Sequence, residues 1–161
     1  RWMQERLIAC GLRPINAIVD VTNYVMLETG HPLHAFDADK IAGKEMLIRE
    51  SKKGEEIITL DEVKRILPDG VIVIQDRDRI IDLAGIMGGK NSAITEGTKT
   101  VFLQAAVFDP ALIYRGSTLT GLQSPASKIY AAGADISASL AVVERATQLL
   151  EEKEIARQIK K

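Results

Sequence analysis

Two histidines, His31 and His34, flank a proline in the stretch His31-Pro32-Leu33-His34-Ala35-Phe36-Asp37, shortly after Thr22-Asn23-Tyr24. Such a pair could bind a metal. A metal site normally takes three or four protein ligands, however, and there is no third histidine. No metal is therefore expected, and a metal hydrolase built on His31 and His34 is the least favoured reading. His34 lies between Leu33 and the pair Ala35-Phe36, so a half-buried imidazole is expected. The plainest role for it is a core histidine bonded to a backbone carbonyl; the competing role is orienting a polar ligand.

Three further stretches could do chemistry. Gly85, Gly88 and Gly89 follow an apolar run in Leu83-Ala84-Gly85-Ile86-Met87-Gly88-Gly89. Glycines let a backbone approach a partner closely, but this is neither a phosphate loop nor a dinucleotide fingerprint. It reads as a tight turn with a bulge, or as a pocket wall of backbone N–H groups. Gln104 interrupts the apolar run Val101–Val107. A buried amide must find partners or costs about 1–3 kcal/mol, so Gln104 is either open to water at an edge or kept to read a polar group. Finally, Gly121-Leu122-Gln123-Ser124-Pro125-Ala126-Ser127 is rich in small residues and hydroxyls. It does not form a nucleophile elbow, and a cap or turn is the default.

Regular elements must hold these residues. Residues 2–10 place Met3, Leu7 and Cys10 on one helical face, with Gly11 as a C-cap. Residues 15–28 carry Ile15, Ile18, Val19, Thr22, Val25 and Met26 at three-four spacing, which predicts a buried helix with Pro14 in its first turn and Gly30 and Pro32 ending it, although Ile18-Val19-Asp20-Val21 could also form a strand. Strands are expected at 45–50, 55–60, 71–75, 79–84 and 101–107, with turns at Ser51–Gly54 and Pro68–Gly70. Along the last strand, Val101, Leu103 and Ala105 should share one face. Asp109-Pro110 predicts a helix start, with the helix covering 110–118. A final helix is expected over 137–159, with Ser137 as N-cap and Leu140, Val143, Thr147 and Leu150 as its apolar stripe. Helices, then strands, then helices argue for an α+β fold: a mixed or antiparallel sheet core flanked by N-terminal and C-terminal helices.

Composition sets the bounds. The 161 residues fit a single domain spanning 1–161, and 46% hydrophobic residues suffice for a core. Both ends read as cut from a longer chain. The net charge of −1 lacks the basic excess of a domain that grips phosphates alone. With one cysteine, Cys10, no internal disulfide can form, and a reducing, cytoplasmic setting is the simpler expectation. No apolar run is long enough to span a membrane.

Taken together, RPINAIVDVTNYVMLETGHPLHAFDADKI, LAGIMGG, TVFLQAAVFDP and GLQSPAS, in this order and spacing, resemble the central editing domain of the bacterial phenylalanyl-tRNA synthetase beta subunit. The resemblance runs from about residue 2 to about residue 150. It implies hydrolysis of tyrosine wrongly attached to phenylalanine tRNA, a task that exists because an apolar pocket for phenylalanine cannot strongly reject a near-isostere bearing one hydroxyl. It implies four stretches enclosing one small chamber. Thr22, Asn23 and His34 would orient the amino group, the ester and the attacking water. Pro32, Ala35, Gly85, Gly88, Gln104, Ser124 and Ala126 would bind substrate. The implied partners are the acceptor end of phenylalanine tRNA, the synthetase alpha subunit and other beta-subunit domains. No cofactor is implied in this domain; ATP and magnesium would serve the parent enzyme on the other subunit.

The sequence also departs from the family pattern. Gln104 stands where the family usually has Glu facing the tyrosine hydroxyl, Ser124 where it usually has Thr, and Pro125 where it has an acidic residue. Lys128-Ile129-Tyr130-Ala131-Ala132-Gly133 replaces an arginine-rich run. A neutral amide loses the charge-assisted bond of a carboxylate. These departures give the alternative expectation, a structural module of the synthetase with a weakened pocket.

Overall fold

In a computed structural model of the chain, which describes residues 2–157, Asn16 rather than Pro14 starts the helix expected near residue 15. Its side chain accepts from the N–H groups of Ile18 and Val19, at 3.1 and 2.9 Å, satisfying two donors that a helix start leaves open. This cap places Ile15 outside the helix, where it is exposed. The helix, α2, runs over Ala17–Thr29 and stops at Gly30, whose φ of 71° suits a residue without Cβ. The preceding helix α1, Trp2–Ala9, buries Met3 and Leu7. Cys10, expected on that face, is exposed because the helix ends before it.

The expected α+β character is present. Among the described residues the chain goes on through β1 (His34–Asp37), β2 (Leu47–Glu50), β3 (Glu56–Ile58), β4 (Lys64–Ile66), β5 (Ile72–Gln75), β6 (Ile80–Leu83), β7 (Met87–Gly88) and β8 (Val101–Gln104). The helices α3 (Pro110–Thr120), α4 (Pro125–Ala132) and α5 (Ser139–Glu152) follow. Strands β1, β4 and the short β7, and helix α4, had no counterpart in the sequence reading.

The chain folds as two compact units. The first comprises Arg1–Ala35, Leu103–Val107 and Asp135–Lys161; the second comprises Phe36–Phe102 and Phe108–Ala134. The core of the first is a helical cluster of Met3 and Leu7 from α1, Val21 and Val25 from α2, and Val142, Ala146, Leu149 and Leu150 from α5, with Leu103 and Ala105 packed against it. The buried stripe of α5 is Val142, Ala146, Leu149 and Leu150, so Leu150 holds its expected place, whereas Leu140 is exposed. Ser137 is not its cap. Ser137 lies in a short 3-10 turn, where its N–H and O–H both donate to Asp135 at 2.9 and 2.7 Å. The helix ends at Glu152, and residues 158–159 of the expected span lie outside the described residues.

The second unit is built on an antiparallel sheet of order β2-β5-β6-β7. Val73, Ile74, Ile81 and Leu83 of its central strands are fully buried, which accounts for their continuous apolar runs. The turn Ser51–Gly54 does not join a hairpin. β2 pairs with β5, and β3 pairs with β4. On α3 and α4, Ile113 and Tyr130 are buried, and Tyr130 meets Phe108 edge to face at 5.1 Å.

Candidate functional site

Helix α2 carries Thr22 and Asn23. Thr22 is buried, and its hydroxyl donates to the Val19 carbonyl at 2.8 Å, so its remaining capacity is as an acceptor. Asn23, the next residue, is half-buried. The angle of the helix is held by Asp20, which accepts from Ile15 N–H at 2.7 Å, and by Arg145 of α5, which grips Glu28 at 2.8 and 3.1 Å.

Gly30 turns the chain into the histidine segment. His31 is the core histidine: it is 2% exposed, its Nδ1 lies 3.0 Å from the Pro32 carbonyl and its Nε2 lies 3.2 Å from Ser139 Oγ. His31 thus makes the kind of backbone-carbonyl contact that the sequence suggested for His34. His34 opens β1 and is half-buried, as expected from its apolar flanks. Desolvation lowers its imidazole from the ordinary 6.5 to about 4, so the ring is neutral at physiological pH. Pro32 and Ala35 are buried on either side. Strand β8, which carries the half-buried Gln104, pairs with β1. The first unit therefore gathers His34, Ala35 and Gln104 on paired strands, with Thr22 and Asn23 on the helix before them.

Gly85, Gly88, Ser124 and Ala126 belong to the second unit. Gly85 has a φ of 68°, and a Cβ there would stand 2.9–3.0 Å from side-chain atoms of Tyr130, Ile113 and Phe108. The turn and the packing beneath it explain this glycine without a ligand. Gly88 sits in β7, opposite Asp82 of β6. Ser124 caps α4: its Oγ accepts from Ser127 N–H at 3.0 Å, while Ser127 Oγ accepts from Ser124 N–H at 2.9 Å. Pro125 fits the first turn of that helix, which it helps to start. Ala126 follows it, half-buried. A separate groove of about 160 Å³ on this unit, lined by Arg65, Ile66, Leu67, Pro68, Leu119 and Thr120, contains none of the predicted residues.

Among the described residues no group of three or more His, Cys, Asp or Glu could hold a metal ion, and no helix is long and apolar enough to cross a membrane. The sequence reading missed Asp82, a carboxyl only 4% exposed that burial raises from 3.8 to about 7. Its signal was one acidic residue inside the apolar run Arg79–Ala84.

The sequence profile of the B3/4 domain matches residues 1–154. This chain belongs to the B3/4 domain family. Within it, the domain is 48% identical over 149 residues to the phenylalanine–tRNA ligase beta subunit of Dehalococcoides mccartyi strain 195, covering 92% of this chain and 18% of that protein. It is 45% identical over 150 residues to the beta subunit of Protochlamydia amoebophila, covering 93% and 19%. It is 46% identical over 151 residues to that of Geobacillus kaustophilus, covering 94% and 19%. This B3/4 domain thus spans less than a fifth of the length of these relatives.

Proposed function

We propose that this domain hydrolyses the tyrosyl ester of mischarged phenylalanine tRNA, as the editing part of a phenylalanine–tRNA ligase beta subunit. The observation that carries the reading is the neutral, half-buried His34 on a strand paired with that of Gln104. An imidazole with so low a pKa is a poor proton acceptor at pH 7 but a good hydrogen-bonding partner. His34 therefore orients a water for attack on the ester carbonyl rather than stripping its proton outright. Thr22, whose hydroxyl proton is committed to Val19, accepts from the α-ammonium group, and Asn23 bonds the ester end. Gln104 pairs with the phenol through its amide. Pro32 and Ala35 shape the apolar part of the binding surface. Gly85, Gly88, Ser124 and Ala126 are assigned on the resemblance alone.

Ser139 Oγ meets His31 Nε2, but that ring is 2% exposed and held on the Pro32 carbonyl, so the serine is not offered as a nucleophile and the step is direct hydrolysis: water adds to the ester carbonyl and the ribose oxygen leaves with a proton. The domain is proposed to work without a cofactor, with ATP and magnesium handled on the alpha subunit. The acceptor end of the tRNA, the alpha subunit and other beta-subunit domains are the proposed partners, and the cytoplasm is the proposed compartment. The test is deacylation of tyrosine-charged phenylalanine tRNA by the chain and by the ligase that contains it. Release of tyrosine above the spontaneous rate is expected. No release by either would leave only a structural module.

A further inference from the structure

His31 takes no part in the hydrolysis proposed above, yet its imidazole is almost fully enclosed. Three parts of the first unit meet on this residue. Its backbone N–H donates to Thr29 Oγ1 at 3.2 Å, and the Thr29 hydroxyl donates in turn to the Val25 carbonyl at 2.7 Å, which fastens His31 to the last turn of α2. One ring nitrogen lies on the Pro32 carbonyl and the other on Ser139 Oγ at the start of α5. Helix α2 carries Thr22 and Asn23, and the segment after His31 leads to His34. All of these residues belong to the first unit.

A core position that needed only bulk would take an apolar residue, because a buried polar ring costs free energy unless its nitrogens are partnered. Here the two partners lie more than a hundred residues apart in the chain, and the ring spans the distance between them. The Pro32 carbonyl is part of a rigid peptide plane that also holds the nitrogen and Cα of Leu33. The φ of Pro32 is locked by its own ring. Between the held plane and the Cα of His34 there remain only the two soft dihedrals of Leu33, and the Leu33 side chain is packed against the helical core. Holding that carbonyl therefore holds the backbone of His34 relative to Thr22 and Asn23.

We propose that His31 is a positioning residue for ester hydrolysis, its imidazole pinning the Pro32 carbonyl to Ser139 so that His34 keeps its place relative to Thr22 and Asn23. The inference rests on the editing reading and deepens it: His31 touches no substrate and acts through His34. A reaction that depends on a positioned water is sensitive to small displacements, and a shift of about 1 Å can cost about a hundredfold in rate. Loosening the segment therefore lowers turnover. The KM for the charged tRNA, which reflects contacts made equally in the ground and transition states, stays near its wild-type value.

The experiment is steady-state deacylation of tyrosine-charged phenylalanine tRNA by the ligase that contains this chain. The wild type, Ser139→Ala, His31→Asn and His31→Leu are compared, each below its own melting temperature. Ser139→Ala removes one anchor of the ring and should lower kcat about two- to fivefold at unchanged KM. His31→Asn places a side-chain N–H close to where Nδ1 stands, so it keeps the carbonyl bond but cannot reach Ser139. Its kcat should match that of Ser139→Ala. His31→Leu removes both bonds, and its kcat should fall about tenfold or more. A residue that merely filled the core would give the opposite order, since leucine fills an apolar space better than asparagine. Wild-type turnover in Ser139→Ala, no recovery in His31→Asn over His31→Leu, or a change confined to KM each overturns the role of His31 while the editing reading stands. If His31→Leu does not fold, the other two variants decide: equal several-fold losses of kcat support the clamp, and wild-type turnover in either overturns it. A wild type that releases no tyrosine above the spontaneous rate removes the editing reading itself.

Discussion

Ser139, the first residue of α5, sits 3.2 Å from Nε2 of His31, while the other ring nitrogen faces the Pro32 carbonyl at 3.0 Å. The carbonyl can only accept, so Nδ1 carries a proton toward it, and Nε2 shares a hydrogen bond with the serine hydroxyl. The imidazole thereby ties the segment leading to His34 onto the last helix. Ser139→Ala should lower stability by about 1–2 kcal/mol, read from urea denaturation. An unchanged midpoint would show that the contact contributes nothing.

Asn16 fixes where α2 begins, and with it the height of Thr22 and Asn23 along the helix. Asn16→Ala leaves the N–H groups of Ile18 and Val19 without their acceptor. A loss of about 1 kcal/mol is expected, together with slower hydrolysis of the tyrosyl ester. Equal loss of stability with full activity would mean that the start of the helix does not position those two residues.

Gly85→Ala tests packing. The substitution forces a side chain onto a φ of 68° and into Tyr130, Ile113 and Phe108. The second unit should lose more than about 1 kcal/mol, from backbone strain and overpacking together. Thermal denaturation of the chain measures it, and a neutral result would place slack where the structure has contact.

Two buried groups give opposite pH signatures. Desolvation lowers His34 from 6.5 to about 4, so the unfolded chain binds more protons between those values. Its contribution is present above pH 6.5 and is lost as pH falls through 4. Burial raises Asp82 from 3.8 to about 7, so the folded chain binds more protons there. Its contribution is present below pH 4 and is lost as pH rises through 7. Relative to the wild type, Asp82→Asn should therefore gain stability by up to about 1.4 kcal/mol per pH unit between pH 4 and 7, then level off. Urea midpoints at a series of pH values check this, and a difference that does not vary with pH would contradict it.

Ester hydrolysis should show no inflection near pH 6.5, since His34 is already neutral well below it. His34→Ala should nevertheless slow the reaction by about tenfold to a hundredfold through loss of orientation. Gln104→Glu should tighten tyrosine binding by restoring a charged acceptor. Calorimetry with tyrosine and a pH–rate series read these outcomes; a limb near 6.5 would mean that the imidazole titrates in the working range.

The elements legible in the sequence were those with a long pattern or a strong cap. The three-four spacing over Ile18–Met26 gave α2, and Asp109-Pro110 gave the start of α3. Short elements hid. β4 is Lys64-Arg65-Ile66, too polar to stand out, and α4 has only eight residues, announced by Ser124-Pro125 alone. The stripe of α5 was partly misplaced because Ala146, small and central to the core, weighs less in a hydrophobic pattern than the exposed Leu140. For the site, spacing could name two histidines but not divide their work. That division depends on Ser139, a residue more than a hundred positions away. Asp82 escaped because a single acid in an apolar run gives no sign of whether the fold will provide it with donors.

The helical cluster of the first unit draws Val142, Ala146, Leu149 and Leu150 from the far end of the sequence onto Met3, Leu7, Val21 and Val25. During synthesis on a ribosome, the oily face of α1 and α2 must wait for α5, more than a hundred residues later, to emerge before it is covered. The second unit, made from residues between, can assemble earlier. A nascent chain halted near residue 134 would carry a finished sheet and an unfinished helix pair, the state in which chaperone protection matters most.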